Sequence, residues 1–249
     1  MFYSGKLTHM ILHDDSKWPY STLEDVWEQY HDRYEGHCIV INAHWHDPGP
    51  RYCGDYKVQG KILSNQYPNT LYGFKWNTGD VPVSMDTGMG EYENFLSTIP
   101  ALINGERQYL SYGAGVERAA ARTWIGYSDD GEWSVEVTEQ NELYTLDGIV
   151  DRMEELGITT GMVLDGGGSS QWYDGTNTID GDGRTIFSFL IMWFEEEEEE
   201  PLDWETEKKL AREWVMEIGI SDGEHGGDSI KREELWAMLY RMGKNGMIG

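Results

Sequence analysis

Three groups of residues in this chain have the types and the spacing to do chemistry. The first is Asp165-Gly166-Gly167-Gly168-Ser169-Ser170, a carboxylate followed by three glycines and two hydroxyls. Successive glycines let a backbone come close to a ligand, and their N–H groups can hold an anion with the hydroxyls as further donors. The second is Arg118, Arg122 and Thr123, where guanidinium forks can grip a phosphate through paired hydrogen bonds. The third is Asn42, His44, His46 and Asp47, which can orient or protonate a leaving group. Together they suit a phosphate ester better than a neutral sugar.

Each group also has a plainer reading. Asp165 could cap a tight turn, and Arg122 could form a surface ion pair. His44 and His46 share one strand face and could bind a metal, but no third ligand of matching type stands near them, and structural zinc takes four. Ser169 lacks the Gly-x-Ser-x-Gly elbow of a serine hydrolase. No cofactor is expected; a divalent metal remains open.

These groups need elements to place them. Leu146, Ile149, Val150, Met153 and Leu156 recur at helical spacing, Gly157 ends that helix, and Ile158 to Leu164 reads as a short strand delivering Asp165. Cys38 to Ile41 is a buried strand delivering Asn42 and His44. Arg122 leads into a strand that turns at Asp129-Asp130-Gly131-Glu132 and returns through Trp133 to Val137. Further strands are predicted over Thr8 to His13, Tyr72 to Trp76 and Val81 to Met85. Gln59-Gly60 and Asn104-Gly105 read as hairpin turns, and Thr22 caps a helix running to Tyr34. Arg184 to Phe194 is a long apolar strand that could close the sheet.

The fold class is therefore α+β: a mixed, largely antiparallel sheet domain with a few helices over residues 1–194, followed by a small helical hairpin. Glu195 to Glu200 is an acidic run that repels itself, so 195–202 reads as a linker. Residues 203–249 carry two helical patterns.

The chain has 249 residues and a net charge of -26, which leaves no basic field for nonspecific nucleic-acid binding. The body carries 12 basic and 29 acidic residues, so acidity is spread along the chain rather than gathered at a site. With 11 Trp and 15 Tyr, the aromatic excess suits both a core and a carbohydrate-facing surface. Cys38 and Cys53 could form one bridge but do not define a framework. No signal peptide and no membrane span are read, so a soluble protein is expected, and an envelope or virion role would need another route.

At these residues the chain resembles the phosphodiester glycosidase family. Ile41-Asn42-Ala43-His44-Trp45-His46-Asp47, Gln59-Gly60-Lys61, Pro100 to Gly105, Arg122-Thr123-Trp124-Ile125-Gly126, Leu143 to Gly157 with Leu164 to Ser170, and Arg184 match its segments in order. His46 stands where the family usually carries an aromatic, and Trp124 replaces a small residue; both would reshape the pocket. The resemblance implies hydrolysis of a sugar-1-phosphodiester that leaves a phosphomonoester, with an envelope polymer such as a teichoic-acid-like chain as substrate. It implies Arg122, with Arg118 or Arg184, as phosphate clamp. Gly166, Gly167, Gly168, Ser169 and Ser170 would cradle oxygens beside Thr123, and Asn42 and His44 would orient or protonate. Asp165 is the first acid/base carboxylate, with Asp47 or Asp86 as candidates for a second. The alternative is a phosphoglycan-binding module that does not cleave.

Trp214, Gly219-Ile220-Ser221-Asp222-Gly223, Arg232-Glu233-Glu234-Leu235 and Met238-Leu239-Tyr240-Arg241 resemble one surface-layer-homology-like repeat. Such a repeat implies contact with a cell-wall polymer, or with a second copy of the chain, through residues 203–249.

Overall fold

A computed structural model describes residues 1–15, 20–47, 51–82, 84–108 and 114–196, together with Lys209. The chain divides into two units, Met1–Glu196 and Glu197–Gly249. The expected helical hairpin, and the acidic linker from Glu197 onward, lie outside the described residues.

Among the described residues, three large antiparallel sheets and a two-stranded ribbon of His46–Asp47 with Arg51–Tyr52 build the first unit. The first has six strands in the spatial order Phe2–Gly5, Trp133–Val137, Thr123–Tyr127, Thr160–Val163, Ile99–Ile103 and Glu106–Arg107. The second has five, in the order Thr178–Ile179, Trp172–Tyr173, His37–Asn42, Ser188–Phe194 and Leu7–Asp14. The third, again of five, runs Lys61–Ser64, Tyr56–Val58, Asn94–Leu96, Tyr72–Trp76 and Ser84–Thr87.

Strand alternation decides which side chains meet. Ile125, Val135, Val137, Met162 and Leu164 of the first sheet share one buried cluster with Leu12, Ile39, Ile41, Leu190 and Met192 of the second. Tyr56, Phe74, Trp76 and Leu96 of the third sheet fill the same core. The opposite face of the second sheet is covered by the helix Leu23–Tyr30, through Leu23, Val26 and Tyr30. The opposite face of the first is covered by Leu146–Glu155, through Ile149, Val150 and Met153. The first helix starts as expected, with Thr22 in a capping box with Asp25, but ends at Tyr30 rather than Tyr34; the second is capped by Thr145, whose side chain accepts from the Gly148 N–H.

Several expectations shift. Ser188–Phe194 does not close an edge; it lies between His37–Asn42 and Leu7–Asp14, and all seven of its residues are buried. Arg184 to Phe187 fall outside that strand. The strand expected from Val81 begins at Ser84, beyond Pro82, which has no N–H to give a ladder. No disulfide joins Cys38 to Cys53, and burial pushes the Cys38 thiol up to about 12. Among the described residues no helix is long and apolar enough to cross a membrane.

Two predictions follow from this packing. Leu190 is fully buried opposite Leu12 and Ile41. Leu190→Ala should cost about 2–5 kcal/mol, read as a lower denaturant midpoint, because a cavity opens where all three sheets meet. The Asp25 carboxylate is held below its ordinary range by the Thr22 N–H and then by the Thr22 hydroxyl. The stability gap between wild type and Asp25→Asn should therefore be full above about pH 5 and shrink as pH falls through the depressed value. A gap that widens on acidification would contradict the cap.

Candidate active site

The three sequence groups are drawn together by backbone hydrogen bonds before any side chain acts. The Leu164 N–H donates to the Thr123 carbonyl at 2.8 Å, Asp165 N–H to Ala43 at 3.1 Å, and Gly167 N–H to Ala121 at 2.7 Å. The turn after the strand Thr160–Val163 is thereby stitched to the ends of two other strands. A cavity of about 470 Å³ opens there. Asp165, Gly166, Gly167, Gly168 and Ser169 line it, with Arg118, Arg122 and Arg184.

Asp165 is buried and accepts the Gly166 N–H at 2.9 Å through its own Oδ1. The glycines serve the turn more than they offer donors, since the Gly166 and Gly167 amides are spent on Asp165 and Ala121. Gly167 has φ +63°, and a Cβ on Gly168 would run into the Asp182 carboxylate. Their expected role as an oxygen cradle is thus replaced, at those two amides, by a role in closing the loop.

Arg122 is 5% exposed. Its Nε donates to the Tyr144 carbonyl at 2.9 Å, and its NH2 nitrogen donates to Val116 at 2.8 Å and Arg118 at 2.5 Å. NH1 faces Gly166, 3.7 Å from where a Cβ would stand. No carboxylate pairs with Arg122 among the described residues, so it is no surface ion pair. Burial, and then the positive Arg118, lower its proton affinity; a guanidinium nevertheless keeps its charge. Arg184 is instead clamped by Asp182, Nε at 2.9 Å and NH2 at 2.5 Å. That pairing, helped by Asp165, raises its proton affinity. Arg118 is exposed and lines the rim.

Five expected site residues do not line the cavity. Asn42 is buried behind it: its Nδ2 donates to the Asp165 carbonyl at 2.6 Å, and its Oδ1 accepts from Thr123 Oγ1 at 2.8 Å and the Gln171 N–H at 3.0 Å. Asn42 and Thr123 therefore hold the turn in place rather than reach a ligand. Ser170 is fully buried. His44 donates from Nδ1 to the Trp45 carbonyl at 2.8 Å and packs among Tyr52 and Tyr56. Asp86 is exposed in the third sheet and paired with Lys75 at 2.8 Å. The side chains of His46 and Asp47 lie outside the described part of the structure. No group of three His, Cys, Asp or Glu side chains that could hold a metal occurs among the described residues.

Other lining residues carried no chemical signal in the sequence. Trp45, Ile99, Val116 and Phe187 form an apolar wall. Trp45 sat inside a noted segment, and its aromatic ring was the available clue. Trp124, expected to reshape the pocket, does not line it. It is buried against Ile149, Val150 and Met153, and its Nε1 donates to Glu136 at 2.8 Å. The indole lies on the helix-covered face of its strand, one residue out of phase with the core face.

Comparison with known proteins fits this geometry. The family model described as phosphodiester glycosidase matches residues 36–193. No curated protein matches the chain. The solved catalytic domain of zebrafish N-acetylglucosamine-1-phosphodiester alpha-N-acetylglucosaminidase, auto-inhibited by its pro-peptide, is similar at a TM-score of 0.55 and 13% identity, over 76% of this chain and 73% of that one. A hypothetical protein from Synechocystis is similar at a TM-score of 0.53 and 11% identity, over 77% of this chain and 57% of that one. At such identities the structural likeness speaks for the fold alone. The family match takes in Asn42, Arg122, Asp165 and Arg184 and more than half of the chain, and on it the chain belongs to the phosphodiester glycosidase family.

Proposed function

We propose that the chain hydrolyses a sugar-1-phosphodiester, releasing the sugar and leaving a phosphomonoester. One observation carries this reading: Asp165 and three arginines line a single cavity that also has an apolar, aromatic wall. The guanidinium groups receive the phosphate, with Arg118 exposed at the rim and Arg122 held by its carbonyls. The Trp45 face takes the sugar ring.

Ordinary glycosidases flank the bond with two carboxylates, one of them a general acid for a poor leaving group. Among the described residues lining this cavity, Asp165 is the only carboxylate. A phosphate ester is a weak base and departs as an anion, so guanidinium charge can take the place of the acid. In this mechanism water adds at the sugar's C1, the C1–O bond to phosphate breaks, and Asp165 takes the proton from water. Asn42 is a positioning residue that holds the Asp165 backbone.

The same shortage of carboxylates favours a second reading, a module that binds the phosphoglycan without cutting it. The repeat-like sequence of residues 203–249 supports an envelope polymer as the natural ligand for either reading, with that segment contacting the polymer or a second copy.

Sugar release from a purified sugar-1-phosphodiester separates the two. Asp165→Asn should lower kcat by about 10²–10⁴ while the melting temperature stays near that of wild type. A near-normal rate removes Asp165 from the chemistry, and saturable binding with no turnover in wild type selects the binding module. Arg118→Ala should weaken competition by inorganic phosphate, and the loss should shrink as salt is raised. Phosphate that competes equally well against both proteins would take Arg118 out of the site.

A further inference from the structure

A second cavity, of about 690 Å³, lies beside the first, and Arg184 and Thr185 line both. The segment 184–187 that leaves the strand ladder is therefore a partition with a face on each side: Phe187 belongs to the first cavity and Ile186 to the second. The two walls are mechanically joined, because Tyr20 of the second cavity meets Phe187 ring edge to ring face, with centroids 4.8 Å apart at 75°. The side chain of Arg184 is 51% exposed. Asp182 occupies its Nε and NH2, leaving NH1 without a partner among the described residues.

We infer that this second cavity is the subsite for the alcohol portion of the phosphodiester, and that it takes a neutral, hydroxyl-bearing residue such as a sugar or polyol. The inference rests on the reading of the first cavity as the sugar-1-phosphodiester site. A phosphate held at Arg184 has its two ester arms on opposite sides. With the sugar against Trp45, the other arm crosses the partition into the second cavity.

The lining sets the chemistry of that arm. Tyr20 and Tyr173 offer ring faces to C–H surfaces, and Tyr173 is braced edge-on by Trp27 with centroids 5.7 Å apart. Ser21, Thr178 and Thr185 present hydroxyls. Glu24 and Asp180 bring carboxylates, which accept from sugar hydroxyls, and Arg184 is the only cation there among the described lining residues. The adjoining helix start is not an anion site, since the Asp25 N–H is already given to the Thr22 hydroxyl, and the Asp25 carboxylate accepts the Thr22 N–H. A second phosphate or a carboxylate in this arm would meet two negative charges and one committed arginine.

The test compares three substrates sharing one sugar-1-phosphate: its methyl ester, its ester to a second neutral sugar, and its ester to a sugar carrying a further phosphate. Wild type should show a lower KM for the neutral-sugar ester than for the methyl ester, and no such gain for the anionic one. Tyr20→Ala and Tyr173→Ala should each raise KM for the neutral-sugar ester by about five- to tenfold, collapsing its advantage over the methyl ester. Equal changes for both substrates in both variants, or no preference in wild type, overturn the subsite. A preference for the anionic ester overturns its assigned chemistry. If wild type turns over none of the three, the hydrolase reading has failed. The subsite is then judged by calorimetric affinities of the same three esters, where the same ranking and its loss in Tyr20→Ala uphold it, and equal affinities overturn it.

Discussion

One buried side-chain amide holds this site together. Asn42 stands at the end of a strand in the second sheet, and its three hydrogen bonds run to Thr123 of the first sheet, to the Asp165 carbonyl and to the Gln171 amide. An amide with its donor and acceptor sides both used is cheap to bury, and one left unpaired is costly. The structure thus has a strong reason to keep these segments in a single arrangement. That arrangement holds the backbone of the turn from which Asp165 enters the cavity.

The electrostatics follow from the same economy. A chain of net charge -26 gathers three arginines around one cavity, and among the described residues no carboxylate pairs with the most buried of them. Arg122 is satisfied by three backbone carbonyls, which use its hydrogen bonds without cancelling its charge. Carbonyl dipoles fix where the guanidinium points, and its burial leaves its field less screened than that of a surface arginine. Arg184 is treated in the opposite way: Asp182 neutralises much of it and sets it as a spacer between two cavities. The three cations that line the cavity are therefore held differently: Arg122 by backbone carbonyls, Arg184 by a carboxylate, and Arg118 at an exposed position.

Much of the scaffold was legible because its signals are local. The capping box at Thr22, the Asn104-Gly105 hairpin and the helix over Leu146–Glu155 arise from residues within a few positions of one another. Gln59 and Asn104 both adopt positive φ, 47° and 51°, in the turns their following glycines announced. The two-residue strands Trp172–Tyr173 and Thr178–Ile179 were not legible, being too short for any periodicity to show. Nor was the central place of Ser188–Phe194: an apolar run does not say which neighbours bury it.

By itself the sequence determined which residues carry charge, which turns form, and that Arg122, Asp165 and the glycine run belong to one family pattern. Only the tertiary structure decided which of them face the cavity. Asn42, Thr123 and His44 have the chemistry of site residues yet spend it on the scaffold. Trp45 and Phe187 have no reactive group yet line the cavity. The physical reason is that a polar group's role depends on where its hydrogen-bond partners lie. For this site those partners are contributed by strands from two sheets, as far apart in the chain as Asn42 and Gln171.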